Sequence, residues 1–188
     1  MRAPALALIV SLAGAASLLA QSAPLPRLVR ADTTPYVPRY ELPKGRQIVV
    51  VYVGGSETDS LKALGEAIRD MKPLLARHAA QRGLPLSIIG VSLDWEVEKS
   101  FARLHSMGAW DELVLGNNWI NVGAQHYLWL RPDGQPTTPQ VIVLERTITA
   151  GDRKIEFGEE RRVAWFQGWD AIVGWVRTGA PLPAQANR

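Results

Sequence analysis

The sequence predicts an α/β fold of three layers, a central mixed sheet with flanking helices, and three observations carry that expectation. Gln47–Val53 and Leu84–Leu93 are short, nearly unbroken apolar runs, the pattern of strands covered on both faces. Between them Leu61, Leu64, Ile68, Met71 and Leu75 recur at helical spacing, so the unit reads strand, helix, strand and favours a right-handed parallel crossover. Further on, the apolar run Gln140–Glu145 precedes a stretch between Lys154 and Phe166 that suits an antiparallel partner.

The 188 residues, 47% of them hydrophobic, suffice for one core-forming domain with terminal extensions. Residues 1–23 read as a signal peptide or an uncleaved N-terminal anchor. Arg2 supplies a basic start, residues 5–20 are apolar and acid-free, and the small residues Ala20, Ser22 and Ala23 follow. Either reading places the chain outside the cytoplasm, periplasmic or extracellular, with a membrane attachment only if that segment stays uncleaved. Residues 24–46 contain Pro24, Pro26, Pro35, Pro38 and Pro43 and form a Pro-rich lead-in. The domain is expected over 47–178, with a flexible tail over 179–188.

Within the domain, Gly54-Gly55 ends the first strand. Ser56 with Asp59 three residues on has the form of a capping box for the first helix, with a kink expected near Pro73 and a stop at Gly83. A second amphipathic helix is expected over 95–107, its apolar face made of Val97, Phe101, Leu104 and Met107. A short run Leu113–Leu115, a Gly116-Asn117-Asn118 turn and a mixed stretch to Leu130 follow. A last helix is expected from about Trp169 to Arg177, turning Ile172, Val173 and Val176 to the sheet.

Composition excludes several chemistries. There is no cysteine, which removes disulfides, catalytic thiols and thiolate metal ligands together. The formal net charge is +3, but six of the 21 basic residues (Arg2, Arg27, Arg30, Arg39, Lys44 and Arg46) and only two of the 18 acidic ones (Asp32 and Glu41) precede residue 47. The domain is thus near neutral, and no nucleic-acid partner is expected. His78, His105 and His126 are too widely separated for a helical metal pair, so neither metal nor cofactor is expected. Glu96 with Glu98, Glu159 with Glu160, and the pair Arg161-Arg162 read as solvated charges. Of the seven tryptophans, Trp169 and Trp175 suit the core side of the last helix.

The order of elements, β-α-β-α followed by a hairpin and a closing helix, resembles the thioredoxin-like fold. IVVVYVGGSETDS resembles the strand and helix start of envelope thiol reductases and their peroxide-reducing relatives, with Glu57 and Ser60 standing where the two cysteines would be. GVSLD at 90–94 resembles the second strand of that group. PTTPQVIV at 136–143 resembles its cis-proline loop, with Pro139 after Thr138 preferred as the cis residue and Pro136 as the alternative. The resemblance covers about two-thirds of the chain and implies a domain that has lost thiol chemistry but keeps a peptide-binding edge. The implied partner is a protein or an extended peptide segment, bound for recognition, assembly or chaperoning. A carboxylate-dependent enzyme using Glu57, Asp59 and Asp94 and a structural accessory subunit are the alternatives.

The candidate site comprises Ser56, Glu57, Thr58, Asp59, Trp95, Thr138 and Pro139, with no residue assigned to catalysis. Trp95 follows Asp94 at the carboxyl end of a parallel strand, the edge where open α/β sheets place ligands. Ser56, Thr58 and Asp59 also make a plain helix cap, and no spacing identifies a base for a serine nucleophile. Asn117, Asn118 and Trp119, with Asn121 close by, form a second candidate, read either as amides for backbone or sugar hydroxyls or as a turn using left-handed angles.

Overall fold

The computed structural model describes residues 44–56, 62–131, 134–150 and 155–183. Five strands form one mixed sheet: β1 (Gly45–Gly54), β2 (Leu86–Ser92), β3 (Glu112–Val114), β4 (Gln140–Ala150) and β5 (Ile155–Gln167), in the order β3-β2-β1-β4-β5. The central β1 runs parallel to β2, with Val51 opposite Ile89, and antiparallel to β4, with Val51 opposite Ile142. β3 extends the parallel side and β5 the antiparallel side.

Every residue of β1 from Gln47 to Gly54 is buried, which is why Ile48–Val53 is apolar without alternation and mostly β-branched. Ile48, Val50 and Tyr52 face one core cluster, packed against α1 (Lys62–Gln81) and α4 (Trp169–Arg177). Val49, Val51 and Val53 face the other, with Ala124, Tyr127 and Leu128. Those three residues lie in a compact run made of a 3₁₀ turn at Asn118–Ile120, α3 (Val122–Ala124) and a π turn at Gln125–Trp129. Helical layers therefore cover both faces of the sheet. Among the described residues no helix is long and apolar enough to cross a membrane.

α1 continues through Pro73, which is exposed, and the chain turns at Gly83 with φ of +65°. The next helix, α2 (Val97–Ser106), corrects the expected apolar face. Ser100, Leu104 and Met107 are buried, while Val97 and Phe101 are 54% and 49% exposed. The buried Ser100 hydroxyl is satisfied there, donating to the Glu96 carbonyl one turn back at 2.7 Å and lying 3.0 Å from Ser92 Oγ at the end of β2. Its C-terminal end is tied to α1 by Arg69, which donates to the Ser106 carbonyl at 2.6 Å.

Two expected solvated charges are also corrected. Glu160 is largely buried and accepts from Arg131 at 2.8 Å, and Arg161 reaches the buried Glu145 at 3.0 Å, where Arg46 also binds. Both pairs bind the sheet's long hairpin side by side chains, a function that a charge run in sequence does not reveal. Past α4, where the sequence reads a tail from 179, the chain still packs. Ala180 is fully buried, and Arg82 donates to the carbonyls of Leu182 and Pro183 at 2.9 and 2.6 Å.

Candidate functional site

The carboxyl ends of β1 and β2 lie side by side, with Gly54 opposite Ser92. A parallel crossover forces this, because both strands must end at the edge from which their helices depart. Ser56 leaves β1 and Asp94 leaves β2 at that edge, and the two meet. Asp94 Oδ1 accepts from the Ser56 backbone N–H at 2.8 Å and from its hydroxyl at 2.7 Å. Oδ2 accepts from Ser92 Oγ at 2.9 Å and from Arg103 Nε at 3.3 Å.

Arg103 comes from α2 and joins the strand ends, donating through Nη2 to the Gly54 carbonyl at 2.6 Å and lying 3.3 Å from Ser92 Oγ. Its side chain is 8% exposed and that of Asp94 12%, so this ion pair is withdrawn from solvent. Burial alone pushes the Asp94 carboxyl up, but the donated bonds from Ser56 and Ser92 and the Arg103 charge outweigh it and hold the group below the ordinary carboxylate range. A carboxyl held ionised in this way has no proton to give as a general acid.

The third side of the edge is the loop before β4. Thr138–Pro139 is the cis peptide bond; Pro136 is not. The buried Gln140 holds this loop by donating to the carbonyls of Gln135 and Thr137, while its own Oε1 accepts from Trp165 Nε1 at 2.8 Å. The Pro139 carbonyl accepts from Gly168 N–H at 2.9 Å. Thr138 is thereby fixed from β4 and β5, and its hydroxyl is buried without a hydrogen-bond partner among the described residues.

These segments enclose a cleft of about 210 Å³ lined by Gly55, Ser56, Leu93, Asp94, Trp95, Glu96, Lys99, Asn118, Trp119 and Thr138. Ser56, Trp95 and Thr138, distant in sequence, thus come together, and the two rival candidates prove to share one cleft because Asn118 and Trp119 form part of its wall. Trp95 is 67% exposed. Pro139 is buried behind Thr138, and Asn117 is exposed away from the lining. Glu57, Thr58, Asp59 and Ser60 lie outside the described residues. The described part of α1 begins at Lys62, and the Ser56 hydroxyl donates to Asp94; the expected capping box with Asp59 lies outside the described residues.

The asparagine turn has a structural role that places Trp119. Gly116, Asn117 and Asn118 all have positive φ, 74°, 55° and 48°, which asparagine tolerates better than most residues. Asn121 is 3% exposed; its Nδ2 donates to the Ser92 and Asn118 carbonyls, both at 2.7 Å, and its Oδ1 accepts from Ala124 N–H at 2.7 Å. It clamps the turn to the end of β2 and caps α3. A Cβ at Gly123 would sit 2.9 Å from Val91 Cγ2, so only glycine allows α3 this close to β2.

Sequence reasoning missed Arg103, Gln140 and the structural part of Asn121. A polar residue heading an apolar strand was the signal available for Gln140, whereas Arg103 looks like any exposed helix cation until α2 is docked. Among the described residues no group of three or more His, Asp or Glu is placed to hold a metal ion. Compared with family models, with curated proteins and with solved structures, the chain matches none of them.

Proposed function

We propose that the chain is an exported, cysteine-free thioredoxin-like domain that binds an extended protein segment at the edge formed by Ser56, Trp95 and Thr138. Support for the fold reading comes from the element order, the parallel β1–β2 pair beside an antiparallel hairpin, and a proline loop next to the turn that follows β1. With no thiol in the chain, recognition rather than redox exchange is the activity left to that edge.

The observation that carries the binding reading is the convergence of three chain-distant segments on one cleft with an exposed tryptophan at its rim. At about 210 Å³ it is smaller than the ~300–1,000 Å³ of sites that engulf a small molecule. A ligand lying across the edge and inserting a side chain suits it better than one enclosed by it. The Asp94–Arg103 and Glu96–Lys99 pairs leave the described lining near neutral, so side-chain contact and hydrogen bonds, not bulk charge, supply the affinity.

A displayed library of random linear peptides, selected on the full chain, tests this. Selected peptides should bind the wild-type protein and lose about tenfold or more on Trp95→Ala, with a smaller loss on Thr138→Val. Peptides whose binding ignores both substitutions would overturn the site, and selection of none would overturn the function.

A further inference from the structure

We infer that the outward face of the run from Val122 to Leu130 docks on a lipid bilayer, seating its aliphatic side chains below the headgroups and Trp129 among them. This face shares no residue with the lining of the peptide cleft, and its role does not depend on that reading.

From Val122 onward the chain makes α3 and then the π turn, and the run has two unlike sides. Gly123, Ala124, Tyr127 and Leu128 are buried, the last three in the core cluster on that face of the sheet. Val122, Gln125, His126, Trp129 and Leu130 are exposed and recur at helical spacing. A helix at a water-facing surface turns charged residues outward. Here residues 113–130 contain no Asp, Glu, Lys or Arg, and Val122 and Leu130 are each 74% exposed. The turn just before adds Ile120, 63% exposed. Trp129 is fixed within this face, its Nε1 donating to the Trp119 carbonyl at 2.8 Å and its ring meeting that of Trp119 edge-on at 6.3 Å. The run is thus apolar on both sides, a pattern that calls for a cover on the outer one as well.

Composition, charge and chain context select a bilayer as that cover. Aliphatic tips around a tryptophan, with uncharged amides and one histidine between them, are the make-up of a surface seated at the membrane interface, where indole rings lie at headgroup depth. The described charges at its border are balanced: Arg131 and Glu160 pair at 2.8 Å, with His126 Nε2 3.5 Å from the same carboxylate. Asp133 lies outside the described residues. Residues 5–20 of the same chain are apolar and acid-free, and residues 24–44 carry Arg27, Arg30, Arg39 and Lys44 against Asp32 and Glu41. Read as a signal or an anchor, the first segment brings the chain to a membrane, and the basic excess of the second is attracted to anionic headgroups.

The chain has no cysteine, so one substitution places one fluorophore at a chosen point of the full chain. Val122→Cys and Leu130→Cys, each labelled with NBD, should brighten several-fold on phosphatidylcholine–phosphatidylglycerol vesicles and be quenched by nitroxide-bearing acyl chains within them. Arg77→Cys, exposed on α1 at the opposite face of the sheet, should do neither. That control separates docking of the face from attachment by the N-terminal segment, which would treat the three labels alike. Adding Leu130→Asp to the Val122→Cys chain should make docking about tenfold weaker. Unaltered far-UV circular dichroism excludes misfolding, and either label in a folded chain suffices. Labels at positions 122 and 130 that stay in water on vesicles, or are quenched no more than the label at 77, would overturn the inference. So would shielding that grows with protein concentration in the absence of vesicles, which would assign the face to a second copy of the chain. Peptide selection without lipid reads the cleft and label quenching without peptide reads this face, so either can fail alone.

Discussion

Asp94 Oδ1 accepts both the backbone N–H and the hydroxyl of Ser56, at 2.8 and 2.7 Å, across 38 residues of chain. One carboxylate thus fastens the turn after β1 to the end of β2, and the same carboxylate neutralises Arg103, which is 8% exposed. The strand ends are held by a charge that the cleft does not spend on ligands.

Asp94→Asn should therefore destabilise the fold rather than merely alter the cleft. The asparagine keeps an acceptor for Ser56 but leaves the buried guanidinium without its counter-charge, a loss of about 3 kcal/mol. Urea unfolding should show a lower midpoint with an unchanged slope. A midpoint equal to wild type would mean that Arg103 finds compensation elsewhere.

The pH dependence follows from the direction of the Asp94 shift. Its folded-state pKa lies below the ordinary value near 3.8, so the native state binds the proton less readily than the unfolded chain does. Its stabilising contribution is fully present above about pH 4 and declines as pH falls through the lower folded value. Stability measured from pH 6 to pH 2 should fall more steeply for wild type than for Asp94→Asn, with the two curves converging in acid. Parallel curves would refute the assignment.

Binding and stability should separate at two hydrophobic positions. Trp95, 67% exposed, contributes little to the core, so Trp95→Ala should change unfolding free energy by no more than about 0.5 kcal/mol. Ile89, 1% exposed in the centre of β2, should cost about 3 kcal/mol as Ile89→Ala. Chemical denaturation of both variants checks the contrast.

Asn121→Ala removes two donated bonds and the cap of α3, a cost of about 2 kcal/mol. Because Asn121 fixes the turn that carries Trp119, peptide affinity should fall as well. Asn117→Gly, at φ of 55° and away from the cleft lining, should be close to neutral on both readouts. Equal effects of the two substitutions would remove the clamp role.

Gly123→Ala should be costly for a reason visible only in the packing. The added methyl would meet Val91 Cγ2 at 2.9 Å, Val91 Cγ1 at 3.0 Å and Val114 Cβ at 3.2 Å, an overpacking penalty of about 1–3 kcal/mol. Trimming the obstacle with Val91→Ala in the same chain should recover part of the loss, a coupling that a double-mutant cycle measures.

By itself the sequence determined the α/β class, the sheet's central strand and the closing helix, because each rests on local periodicity. Ile48–Val53 is apolar at every position since both faces of β1 are covered, and Trp169–Arg177 is the span of α4 as the spacing of Ile172, Val173 and Val176 predicts. The absence of cysteine, and with it of thiol chemistry, was equally a matter of residue identity. Tertiary structure alone decided the rotation of α2, since Ser100 rather than Phe101 is buried against the end of β2, where Ser92 Oγ meets its hydroxyl. It also decided that Ser56, Trp95, Thr138, Asn118 and Trp119 belong to one cleft. Their union comes from parallel strand ends meeting at one edge and from Arg103, Gln140 and Asn121 fixing the three approaching loops. Spacing along the chain carries the period of each helix and strand, but it does not carry the distance between loops that only the sheet brings together.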